Sequence, residues 1–103
     1  MGSLFTSPQR EQLLANCGQD NPFPVVKLFT PFANCTWLLT EIDPDNEDYA
    51  FGLCDLGMGF PELGYVDLGE IRSVGVERDI HFTPNMTIGD YADQAHRKGY
   101  IVA

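Results

Sequence analysis

Two stretches of this 103-residue chain carry side chains whose types and spacing suit chemistry. The first is Asp43-Pro44-Asp45-Asn46-Glu47-Asp48, where oxygen-bearing residues recur two apart, as they do in calcium-binding loops. A loop of the EF-hand type also needs a sharp-turn glycine at its sixth position and a closing glutamate at its twelfth. Asp48 and Cys54 stand there instead, and the flanking residues read as strands, so the stretch reads as a solvated acidic turn with no metal assigned. The second is Glu77, Asp79 and His81, which alternate along a β-forming run and would share a strand face. Two carboxylates and an imidazole so placed suit acid–base or metal chemistry. They equally suit a solvent face with one histidine beside Arg78, and no second histidine is near in sequence.

Nucleophile and phosphate chemistry find no motif. Cys17, Cys35 and Cys54 are widely spaced, with no Cys-x-x-Cys pair, which argues against zinc and thioredoxin-type sites and for reduced thiols. Asp55 beside Cys54 would raise that thiol's pKa rather than activate it. Gly57-Met58-Gly59 lacks the third glycine and the lysine of phosphate loops. Trp37, Phe51, Phe60, Tyr65 and Phe82 read as core, because a nucleic-acid stacking platform needs basic residues between its aromatics and acids stand there instead.

The elements that position these residues are legible from period and punctuation. Ser7-Pro8 reads as a capping hydroxyl and a first-turn proline opening a helix to about Asn16, with Leu13 and Leu14 inward and Gly18 as the stop. Asn21-Pro22-Phe23-Pro24 is a linker. Strands are expected at Val25–Thr30, Cys35–Ile42, Tyr49–Leu56, Glu62–Asp67 and Val76–Phe82. The second strand is apolar on both faces, with Thr36, Leu38, Thr40 and Ile42 on one and Cys35, Trp37, Leu39 and Glu41 on the other, so it is central. Gly52 signals a bulge or a close backbone approach. Leu68 to Val74 suits one short helical turn with Leu68 and Ile71 inward. Thr87 caps a last helix with Asp90 in the capping-box position, a stripe of Ile88, Tyr91, Ala92 and Ala95, and Gly99 as the stop. Tyr100 to Ala103 is a short extra strand or a frayed end. The order predicts one α+β domain over residues 1–103, an antiparallel sheet of about five strands flanked by an N-terminal and a C-terminal helix.

Charge is the most unusual property. Between Glu41 and Asp79 stand eleven acids against Arg72 and Arg78, which is the whole formal charge of −9; the rest of the chain is balanced. Such a surface repels nucleic acid and anionic membranes and favours basic partners. The apolar fraction of 44% and twelve aromatic residues argue that the block is folded rather than a disordered tail. No signal-peptide pattern and no membrane-length apolar run is present, so a cytoplasmic protein is expected.

Five spaced blocks resemble a known family: Leu28-Phe29-Thr30-Pro31, Thr36-Trp37-Leu38-Leu39-Thr40-Glu41, Phe51-Gly52-Leu53-Cys54-Asp55, Pro61-Glu62-Leu63-Gly64-Tyr65, and Glu77-Arg78-Asp79 with Phe82. Over roughly residues 5 to 95 they resemble the bacterial family of domain of unknown function 2958. The resemblance implies a small passenger of plasmids and other mobile elements, often beside antirestriction genes, and brings no catalytic residues with it. The connection between Ser73 and Glu77 is shorter than the family's pattern.

The mobile-element setting and the localised acidity point to a non-enzymatic inhibitor of a host nucleic-acid defence system, of antirestriction or anti-CRISPR type, acting as a DNA mimic. Its expected partner is a basic nucleic-acid-binding protein such as a host nuclease or an effector-complex subunit. The expected contact residues are Asp43, Asp45, Glu47, Asp48, Glu62, Glu70, Glu77 and Asp79. No cofactor, metal, direct nucleic acid or membrane contact is implied, and the chain would be a monomer or homodimer. The alternative is an interaction module for plasmid maintenance or transfer, pairing through a strand edge near Val25 or Val76. A small metal-dependent hydrolase built on Glu77, Asp79 and His81 is the third reading.

Overall fold

The computed structural model describes residues 4–103. Helix α1 spans Ser7–Ala15. Its cap is Thr6, one residue before the expected Ser7, because Gln9 completes a reciprocal box: Thr6 N–H donates to Gln9 Oε1 (2.8 Å) and Gln9 N–H to Thr6 Oγ1 (3.2 Å). Strands follow at β1 (Val26–Phe29), β2 (Thr36–Asp43), β3 (Asn46–Asp55) and β4 (Glu62–Asp67). Then come a short helix α2 (Leu68–Ser73), a two-residue strand β5 (Glu77–Arg78) and helix α3 (Ile88–Lys98). The sheet is antiparallel with order β4-β3-β2-β1-β5, so the fold is α+β as the strand-rich order implies.

One face of the sheet packs against α1 and α2. Its core is Leu13, Val26, Leu28, Trp37, Leu39, Ile42, Ala50, Leu68 and Ile71. The other face packs against α3 through Leu38, Leu53, Ile88, Tyr91, Ala92 and Ala95. Burial on both faces makes β2 central, but Leu38 and Ile42 point oppositely, contrary to strict alternation. The register explains this. Leu39 pairs with Gly52 and Glu41 with Phe51, leaving Thr40 as an unpaired extra residue that flips the parity after it. The side chain of buried Asn16 donates to the Thr40 carbonyl (3.1 Å), so α1 satisfies the bulged backbone.

The acidic hexapeptide is a tighter turn than its composition suggests. Only Pro44 and Asp45 form the turn, Asp43 pairs with Asn46, and Asn46, Glu47 and Asp48 belong to β3. The expected strand Val76–Phe82 shrinks to Glu77–Arg78, paired with Phe29 and Leu28 of β1. Asp79 ends it: its Oδ1 accepts from His81 N–H (2.9 Å) and its carbonyl from Phe82 N–H (3.3 Å), which turns the chain and leaves Ile80 exposed. The expected edge near Val25 is closed, since Val25 N–H bonds the Leu39 carbonyl and β1 lies between β2 and β5. The open edges are β4 and β5.

Helix α3 has the predicted cap, stripe and stop, with Gly99 at φ +83°. Asn21 in the linker completes its N-terminus, donating to Thr87 Oγ1 (3.1 Å) and accepting from Gly89 N–H (2.8 Å). Residues 100–103 form no strand. Ile101 N–H is tied to Asp55 Oδ2 (3.0 Å), and Lys27 Nζ donates to the Ala103 carbonyl (2.8 Å).

Candidate functional site

The β2–β3 hairpin gathers the acidic residues at one pole of the sheet. Asp43 Oδ1 accepts from Asp45 N–H (2.8 Å) and Asn46 Oδ1 from Asp48 N–H (3.2 Å), so the turn is locked by its own side chains. Glu47 is held by a two-pronged contact from Arg10 on α1, Nε to Oε1 at 2.5 Å and Nη2 to Oε2 at 2.6 Å. That hydrogen bond holds the Glu47 carboxyl below the usual glutamate range and raises the Arg10 guanidinium in turn. Asp48 is paired with Arg72 of α2 (3.0 Å). Glu70 lies on the same helix, in its first turn. The pole's field registers at Cys17. A hydrogen bond to Glu41 pushes this exposed thiol up, burial adds to it, and the charges of Glu41, Asp43 and Asp45 add further.

Five of the eight expected contact residues therefore come together: Asp43, Asp45, Glu47, Asp48 and Glu70. Glu62, Glu77 and Asp79 do not join them. Glu62 pairs with Cys54 and Glu77 with Phe29, at the opposite end of the strands from the turn and on opposite edges of the sheet. Four strand spacings separate those edges, about 19 Å. Asp79 is bound to Lys27 (3.4 Å), and its carboxyl is held low by the His81 backbone bond first and by Lys27 after it. Because Asp79 turns back onto His81 N–H, Glu77, Asp79 and His81 share no strand face. Among the described residues no three of His, Cys, Asp or Glu converge as a metal-ligand set.

The cause expected for Cys54 is also corrected. Its thiol is pushed up to about 11 by burial, not by the neighbouring Asp55. Asp55 is itself buried, and its carboxylate accepts from Gly57 N–H (2.8 Å) and Ile101 N–H (3.0 Å).

Two features escape a reading of sequence alone. A cleft of about 830 Å³ at the β1–β5 end brings Lys27, Arg78 and His81 together with Asn34, Asp79 and Tyr100. The turn after β5 adds Asp79, Ile80 and His81 to its lining, which a straight strand to Phe82 does not suggest. The second is an aromatic surface. Trp37 is core as expected, but Tyr65 is 61% and Phe60 80% exposed. Tyr65 stacks on Tyr49 (centroids 4.9 Å, interplanar angle 1°) and meets Phe51 edge-on (4.9 Å, 65°). Helix α3 packs over Leu38 and Leu53 and leaves this corner of β3 and β4 uncovered.

Among the described residues no helix is long and apolar enough to cross a membrane. No curated protein and no solved structure matches the chain. The family model described as a protein of unknown function, DUF2958, matches residues 4–102, nearly the whole length, and the chain belongs to that family.

Proposed function

We propose that the chain is a cytoplasmic, non-enzymatic accessory protein of a mobile genetic element. It binds a basic nucleic-acid-binding protein of a host defence system, a nuclease or an effector-complex subunit, and inhibits it by occupying the groove that takes DNA. The observation that carries this reading is the fixed acidic pole: carboxylates on a locked hairpin, two of them oriented by arginines from different helices. Fixed charges steer association and present a phosphate-like array without the ordering cost of a flexible acidic tail. The mobile-element context comes from the family resemblance and belongs to the same proposal. A maintenance or transfer module without inhibitory activity is the second reading, favoured by the two open sheet edges.

The test is capture of partners from host lysate by tagged protein, at low salt and at about 0.5 M, where the screening length falls to roughly 4 Å. The comparison is a variant carrying Asp43→Asn, Asp45→Lys and Glu70→Lys. These residues have no ion pair among the described residues, and asparagine keeps the turn's acceptor. A salt-labile nuclease or effector subunit, lost in the variant, is the expected result. Capture undiminished in the variant removes the pole from the mechanism, and capture of element-encoded proteins alone favours the second reading.

A further inference from the structure

The uncovered corner of the sheet has a geometry that the acidic pole does not explain. Strand β4 is an edge, so alternate residues direct their amide and carbonyl groups away from β3 with no strand to receive them. On one face of this edge stand Leu63 and Tyr65, both exposed, continued inward by Tyr49 and Phe51 on β3. The stacked Tyr49–Tyr65 pair presents a flat π surface beside the open backbone. Glu62 and Asp67 close the two ends of the strand, and no lysine or arginine lies within it. Edges are ordinarily guarded against pairing by lysine, proline or a bulge inside the strand. This one has none of these between Glu62 and Asp67, and Gly64 leaves open space at its middle.

We propose that β4 is a docking edge for an extended basic segment of a protein partner, which adds to the sheet as a sixth strand. The inference rests on the reading that the partner is a basic protein, and it names where and in what conformation part of that partner binds. Charge complementarity selects the occupant. Lysine or arginine at every second position of the added strand lies on the aromatic face beside Tyr65 and Asp67. There the cation meets a ring face on one side and a carboxylate on the other. An acidic segment meets Glu62 and Asp67 with like charge, and a second copy of this chain brings −9 against −9.

The probe is a labelled ten-residue peptide of alternating lysine and threonine, followed by fluorescence anisotropy at low salt with the full chain. Binding is expected, with slowed amide exchange confined to residues 62–67 and their β3 partners. The same peptide with a central proline, which cannot donate to a ladder, and the glutamate–threonine counterpart are expected not to bind. Tyr65→Ala and Leu63→Lys, both at exposed positions, are expected to weaken the probe about fivefold or more each. Equal binding of the proline peptide shows plain ionic attraction and overturns the proposal. So does a dimer of the chain that Tyr65→Ala dissociates, because the occupant is then a second copy. Partner capture with Tyr65→Ala separates the two readings. Capture unchanged by Tyr65→Ala but lost with the Asp43, Asp45 and Glu70 changes overturns this inference and leaves the acidic pole standing. The reverse pattern does the opposite.

Discussion

Gly52→Ala tests the account of the sheet at its narrowest point. A Cβ built on Gly52 lies 2.0 Å from the Leu38 carbonyl oxygen and 2.8 Å from Leu39 Cα, both main-chain atoms of β2. Real Cβ contacts essentially never fall under 3.0 Å, so the strands must part by about an ångström. That movement stretches the ladder beside the Thr40 bulge and lifts Leu38 and Leu53, both fully buried, out of register with α3. Overpacking of this kind costs about 1–3 kcal/mol. Two weakened ladder hydrogen bonds add about 1 kcal/mol each. The expected destabilisation is therefore about 3–5 kcal/mol, a large part of the roughly 5–15 kcal/mol that holds an ordinary domain together. It corresponds to a fall in Tm of at least about 12 °C. The control is directly across the ladder. Gly64 pairs with Gly52 in register, has open space where its Cβ would stand and has no positive φ. Gly64→Ala is expected to be neutral or stabilising by up to about 1 kcal/mol. Urea unfolding followed by the fluorescence of Trp37, the single tryptophan and a core residue, reads both variants. A Gly52→Ala protein within about 1 kcal/mol of wild type, or a Gly64→Ala protein equally damaged, refutes the reasoning.

Asp55→Ala leaves the amides of Gly57 and Ile101 without their acceptor and is expected to cost about 2–4 kcal/mol, with faster amide exchange across residues 99–103. Cys17 and Cys54 differ in why their thiols resist ionisation, so Glu41→Gln is expected to speed alkylation of Cys17 at pH 8 and leave Cys54 unchanged, read by mass spectrometry. Arg10→Ala is expected to raise the Glu47 carboxyl titration toward the ordinary glutamate range, measured by NMR. The sign follows from linkage: the folded pKa lies below the unfolded one, so the pair's contribution is present above about pH 4.3 and is lost as pH falls through the folded value. The wild type should therefore lose stability relative to Arg10→Ala on acidification, with the two curves converging at low pH.

What could be read ahead of the structure was local. Most of the chemistry of α3, the Thr87 cap, the Ile88, Tyr91, Ala92 and Ala95 stripe and the Gly99 stop, is contained in one stretch of sequence and is reproduced; the Asp90 side chain does not close the expected box, and Asn21 from the linker caps Gly89 N–H instead. The bounds of β4 and the inward residues of α2 were legible for the same reason. Two of the differences, the Thr40 bulge and the exposure of Tyr65, depend on a neighbouring strand; the Thr6 cap and the end of β5 are local. A bulge at Thr40 exists only relative to β3, so alternation alone placed Leu38 and Ile42 together. Strand β5 is expected to run to Phe82 because its alternation continues through Asp79, whose side chain captures His81 N–H and ends the strand. The Thr6 cap had a signal that was there to be used, since Gln9 stands three residues after it. The exposure of Tyr65 depends on β4 being an edge, which is a fact of strand order.

The acidic block is one continuous run in sequence, but in space it divides between the hairpin pole and the opposite end of the strands, where Glu62 and Glu77 stand on opposite edges. At the hairpin pole stand Glu41, Asp43, Asp45, Glu47, Asp48, Asp67 and Glu70, and among the described residues the ion pairs made there are those of Glu47 with Arg10 and Asp48 with Arg72. The arginines reduce the local charge, yet they also convert two flexible side chains into oriented ones. A partner's lysine approaching Glu47 or Asp48 must compete with a guanidinium already in place. At Asp45 or Glu70 it meets no such competitor among the described residues. The paired acids therefore shape the surface, and the acids without an ion pair carry the larger share of attraction. A flexible acidic tail of the same composition makes no such division, because none of its carboxylates is held. On the proposed reading, the division between orienting and attracting carboxylates is what distinguishes this pole from a flexible acidic tail, and it follows from where α1 and α2 set Arg10 and Arg72.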